Sequence, residues 1–110
     1  MKKRIADKWI RALRSGKYKQ GDKVLCNIKP YGNAEFCCLG VLDYIHTNQY
    51  DYESALNDGE YSLYSGLGAR KDHSDLKIGK RTYPSLADAN DNGVSFKKIA
   101  AYIAKHYKDL

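Results

Sequence analysis

The apolar pattern of one run, VLCNIKPYGNAEFCCLGVLDYI at residues 24 to 45, changes period near Cys37 and so requires an extended segment to become a helix. Its first half reads as a hairpin. Pro30-Tyr31-Gly32 suits a three-residue loop, a type I turn followed by glycine in the left-handed bulge position. That loop sets Lys29 against Asn33, and counting outward pairs Ile28 with Ala34, Cys26 with Phe36 and Val24 with Cys38. Those three pairs make an apolar face, while Asn27 with Glu35 and Leu25 with Cys37 lie on the other. A slip of one residue would bring Cys26 opposite Cys37, but it would also set Ile28 against Glu35. The register that buries a face therefore argues against a Cys26–Cys37 disulfide. Beyond Phe36, the residues Cys38, Val41, Leu42 and Ile45 fall at i, i+3, i+4 and i+7, the stripe of a helix that runs to about Asn48. Gly40 inside it costs about 1 kcal/mol relative to alanine. The competing reading is a strand continued through Val41 and Leu42.

A hairpin feeding a helix must be covered by other elements, and both ends of the chain supply amphipathic ones. Ile5, Trp9, Ala12 and Leu13 make a helical stripe over residues 3–15, with Gly16 as the stop and Trp9 as a core anchor. At the far end, Pro84 opens a short helix through Leu86 and Ala89 that Asn92-Gly93 ends. Ser95 then caps a helix with Phe96, Ile99, Ala100, Ile103 and Tyr107 on one side. Tyr18 to Asp22 reads as a polar link. Residues 47–81 read as a polar, tyrosine-rich insertion, with a helical turn at residues 54–57 and a strand near 60–64. The expectation is a single α+β domain over residues 1–110: N-terminal helix, β-hairpin, central helix and C-terminal helical hairpin.

Composition fits this size. With 110 residues, 43% apolar and 29% charged, the chain can bury a modest core without metal or disulfide support. No stretch approaches the roughly 18 to 20 apolar residues that span a bilayer, so no membrane partner is expected. Asp7, Lys8 and Arg11 interrupt the region where the apolar segment of a signal peptide would follow the basic start, so a cytoplasmic protein is expected, with its three cysteines as reduced thiols. Charge is uneven. Residues 1–23 carry nine Lys/Arg against two Asp, residues 24–70 carry two against six acids, and residues 71–110 carry eight against five. A basic N-terminal element suggests an anionic partner, and Lys8, Arg11, Arg14, Lys17 and Lys19, with the ring of Tyr18, are the candidate ligand-binding residues. The bland alternative is a solvated helix face.

The candidates for catalysis are the thiols. A helix N-terminus favours a thiolate, and Cys38 sits at the expected strand-to-helix junction, with His46, His73 or His106 as a general base and Asp75 to orient His73. Cys38 also belongs to both apolar stripes, the usual position of a small buried hydrophobe. Cys37, on the opposite hairpin face, is expected to be the more exposed thiol. No metal site is expected, because Cys26, Cys37, Cys38 and His46 lack the spacings that zinc ligands use. No cofactor is expected either, since Gly66-Leu67-Gly68 lacks the third glycine of a phosphate-binding loop. Gly93-Val94-Ser95 with Ile99-Ala100 is similar to the turn and second helix of a helix-turn-helix. Lys97, Lys98 and Lys105 would reach phosphates there but offer little to read base edges, so sequence-specific DNA binding is not expected.

Three blocks carry a resemblance: Trp9 with Ala12-Leu13-Arg14-Ser15-Gly16-Lys17-Tyr18-Lys19-Gln20-Gly21, then Phe36-Cys37-Cys38-Leu39-Gly40-Val41-Leu42, then Asn90-Asp91 with Gly93, Ser95-Phe96, Ile99-Ala100 and Ile103. In them the chain resembles a group of small proteins of tailed bacteriophages and prophages, mostly of unassigned function. That group often has a further cysteine after the second block, where this chain has Asp43. The resemblance implies a phage accessory protein in the cytoplasm of an infected bacterium, acting on host physiology or defence, and carries over no catalytic residues. The leading expectation is a non-enzymatic protein that binds a nucleotide signal or nucleic acid; a nucleotide would need a pocket, which a homo-oligomer interface could supply. The alternatives are an inhibitor of a host enzyme acting by surface complementarity and a hydrolase using Cys37 or Cys38.

Overall fold

The computed structural model describes residues 1–23, 26–28, 34–47 and 76–110. The expected turn and strand at residues 54–57 and 60–64, the hairpin loop and the Val24–Cys38 pair lie outside the described residues.

Helix α1 spans Lys3–Arg14 and buries Ala6, Trp9, Ile10 and Leu13; of the expected stripe Trp9 and Leu13 are buried, while Ile5 and Ala12 are half-buried at its edges. Its last turn closes where the Ser15 hydroxyl donates to the Ala12 carbonyl at 2.7 Å. Strand β1, Lys19–Gln20, follows, and then β2, Cys26–Ile28, and β3, Ala34–Phe36. The register of β2 on β3 is the expected one, with Cys26 opposite Phe36, Asn27 opposite Glu35 and Ile28 opposite Ala34. The change of period marks the right residue, because α2 begins at Cys38 and runs to Thr47. A strand continued through Val41 is therefore not what forms.

Two features differ from expectation. The supposed polar link contains β1, which pairs in parallel with β3 so that the sheet order is β1-β3-β2. The end of the supposed insertion contains ordered structure: β4, Leu76–Ile78, and β5, Arg81–Tyr83, form a hairpin with Leu76 opposite Tyr83. Gly79 opens its two-residue turn at φ +66, the geometry that a glycine at the first position of a tight hairpin turn provides. Leu76 is as buried as any leucine of the core.

The C-terminal helical pair is α3, Leu86–Asp91, and α4, Phe96–His106, followed by a 3₁₀ turn over Tyr107–Asp109. Ser85, not Pro84, caps α3, its hydroxyl accepting from the Asp88 amide, and Ser95 caps α4 in the same way through Lys98. The α1 face packs chiefly on Ile99, Ala100 and Ile103 of α4 and also on α2, whose Val41 and Leu42 are buried. One core thus joins both ends of the chain to the middle. Fully burying such a leucine or isoleucine contributes about 1.5–3 kcal/mol. Among the described residues no helix is long and apolar enough to cross a membrane.

Candidate functional site

The start of α2 is where a reactive thiol would have to sit. Cys37 is the N-cap, since its carbonyl accepts from the Val41 amide at 3.1 Å and its sulfur from the Gly40 amide at 3.4 Å. Cys37 is more exposed than Cys38, as expected, but at 4% it is buried too, and so it is not the accessible thiol that its place on the outer hairpin face suggests. The hairpin pattern counts Cys37 as an outward strand residue, but here the chain has already left the sheet, and an N-cap side chain folds back over the first helical turn. Cys38 has no exposed surface at all, its Sγ pointing at the Leu86 carbonyl 3.6 Å away. Burial, reinforced by the neighbouring Cys37, pushes its thiol well above the ordinary range, so the helix N-terminus does not produce a thiolate here. Cys26 is raised too, by burial first and by the Asp43 carboxylate second. All three cysteines are free thiols. The expected imidazole partners do not gather there. His106 stacks on Tyr102 at the end of α4 and lies 4.0 Å from the Asp109 carboxylate; His73 and the His46 side chain lie outside the described residues. Among the described residues no three His, Cys, Asp or Glu side chains gather to hold a metal ion.

What surrounds the thiols is a closed polar seam that sequence reasoning did not anticipate. Asn90 is 2% exposed, and its side chain uses both ends. Its oxygen accepts from the Cys38 amide at 3.1 Å and from the Gln20 side chain at 2.9 Å, and its nitrogen donates to the Gly21 carbonyl at 2.8 Å. Gln20 in turn donates to the Val94 carbonyl at 2.7 Å and accepts from the Phe96 amide, the first of α4, at 3.2 Å. Each side chain therefore caps a helix that is not its own. Trp9 adds a further bond, donating from Nε1 to the Cys38 carbonyl at 2.8 Å. Helix N-termini attract anions because their first amides are unpaired; at α2 and α4 protein atoms already occupy them. Gly21 is required by this crowding, since a β-carbon there would stand 2.7 Å from that of Glu35. The three blocks of the resemblance thus meet in space as a packing device. Their signal in the sequence was a buried-type position, Asn90, beside the stripe of Leu86 and Ala89.

The other candidate is the basic face. Lys8, Arg11, Arg14 and Lys17 are all exposed, and α1 sets Lys8 and Arg11 on the side opposite its buried stripe with Arg14 at the stripe's edge. No ion pair forms to any of these four among the described residues. Arg4 shares the face, and beside it a hollow of about 310 Å³ opens over Ile5, Leu42 and Ile45, with Arg4 and Lys8 at its rim. Two expected members stand apart. Lys19 reaches the Glu35 carboxylate at 3.7 Å. Tyr18 is half-buried, its ring 5.4 Å from Phe36 and 5.7 Å from Tyr44 in edge-on contacts that close the sheet against α2.

A family model described as a domain of unknown function, DUF8296, matches residues 1–72, so the chain belongs to that family. Neither a curated protein nor a solved structure matches significantly.

Proposed function

We propose that this member of the DUF8296 family is a non-enzymatic phage accessory protein that engages the phosphate backbone of a nucleic acid through Lys8, Arg11, Arg14 and Lys17. The observation that carries the reading is the set of four exposed cations with no carboxylate partner among the described residues. The outer face of a helix is convex, which suits a polymer's repeated phosphates better than a small molecule that needs enclosing. The face offers charge without a fork of Asn, Gln or Arg held in place to read base edges, so the contact is sequence-independent. The phage assignment rests on the sequence resemblance alone. A role in counter-defence would follow from sequestering a nucleic acid that a host system must reach.

The test is fluorescence polarisation with a labelled 20-base-pair duplex over a salt series. Four backbone contacts give a log–log slope near −3.6, at about 0.9 per phosphate neutralised. Arg11→Glu with Arg14→Glu should weaken binding more than tenfold while lowering the melting temperature by only a few degrees, the cost of two charges reversed at the C-terminal end of an exposed helix face. Binding that survives this reversal with its salt slope intact would show the face to be solvated surface only.

A further inference from the structure

A second cationic surface lies beyond the residues that the family model matches. Between the β4–β5 hairpin and α4 runs a groove of about 410 Å³, within the usual range of small-ligand sites. Lys77 stands on its hairpin side, and Lys98 and Lys105, two turns apart on α4, stand on the other. Its wall is aromatic: Tyr102 and His106 stack with ring centroids 4.5 Å apart and planes 29° apart, and Tyr83 lies at the floor. Among the described residues no carboxylate lines the groove; Asp109 stands just outside this wall, 4.0 Å from His106. Three ammonium groups from two elements, facing one another across an aromatic wall, match a ligand that carries phosphate at one end and a flat ring at the other.

We propose that this groove binds a nucleoside phosphate, free or as one unit of a single strand, with its phosphates between Lys77 and the pair Lys98 and Lys105 and its base against Tyr102. The site is separate from the α1 face, so either proposal can fail alone. Lys77, Lys98 and Lys105 are well exposed, so their substitution tests binding and not folding.

The experiment is amide-resolved NMR titration of the full chain with three probes in parallel: ATP, a deoxythymidine 10-mer and inorganic tripolyphosphate. Shifts confined to Lys77, Lys98, Tyr102 and Lys105 are expected with ATP, with the 10-mer, or with both. ATP alone identifies a free nucleotide as the ligand, and the 10-mer alone a strand. Lys98→Glu with Lys105→Glu should weaken that binding at least tenfold, while Arg11→Glu with Arg14→Glu should leave it within twofold. Tyr102→Leu should weaken the nucleoside probes at least fivefold and tripolyphosphate less than twofold. If neither nucleoside probe shifts these amides, if tripolyphosphate binds as tightly as ATP, or if the lysine reversals change nothing, the proposal is wrong. Should the double reversal melt early, Lys98→Gln with Lys105→Gln is read in its place, with a threefold loss expected.

Discussion

The N-terminal end of α2 and the outer face of α1 are the two places where the sequence invites a function, and the structure treats them in opposite ways. At α2, every attractive feature is already satisfied inside the molecule: the first amide by Asn90, the third by the Cys37 sulfur, and the Cys38 carbonyl by Trp9. On α1, Arg11 and Arg14 are favourably placed against the helix dipole but otherwise face water. Residues of special chemistry whose bonds all close internally are there for folding. Charges left open are what a partner can meet.

Asn90 holds the closed end of α2 together. Asn90→Leu would strip partners from the Cys38 amide, the Gly21 carbonyl and the Gln20 side chain, and we expect a loss of about 3 kcal/mol or more in urea unfolding. A loss below 1 kcal/mol would mean that water replaces the side chain and that the seam is not closed. Gly21→Ala comes next, at about 2 kcal/mol, because the added carbon meets the Glu35 side chain where it joins the backbone and cannot swing away. The thiols then sharpen the contrast through pH. Unfolded chains release thiol protons near pH 8.5, whereas the buried Cys38 and Cys26 hold theirs higher. Above that pH the unfolded state binds fewer protons than the folded one, so stability should be full below about pH 8 and decline as pH rises, at up to about 1.4 kcal/mol per unit per thiol. A flat profile from pH 8 to 10, or modification of native Cys37 or Cys38 by iodoacetamide, would return the thiols to the list of reactive groups. Smallest is Lys19→Ala, whose pair with Glu35 is largely exposed on the lysine side; thermal melts should place it within about 0.5 kcal/mol of the parent.

How far the sequence is legible follows the same division. Periodicity locates α1, α2 and α4 and fixes the hairpin register, because each of those patterns is local and a slip would turn an apolar face to water. The parallel pairing of β1 has no such signal. Two residues show no period, and what holds Gln20 is Val94 and Asn90, more than 65 positions away. Gly79-Lys80 between Ile78 and Arg81 is a hairpin signal that a polar, tyrosine-rich setting masks. The burial of Cys37 is illegible for a different reason: alternation along a strand says nothing about a residue that ends it. Of the candidate site, the exposed cations follow directly from the helical stripe they avoid. That Lys19 and Tyr18 have partners of their own depends on the sheet and on α2, which only tertiary structure brings beside them.

Because Asn90 touches the first amide of α2 and the carbonyl of Gly21, the central helix cannot be finished by its own neighbourhood. Its opening turn relies on a residue 52 positions downstream, a long-range contact whose loop-closure entropy the packing of α3 has to offset. Protection of the Cys38 amide against hydrogen exchange should therefore depend on the docking of α3 and not on α2 alone.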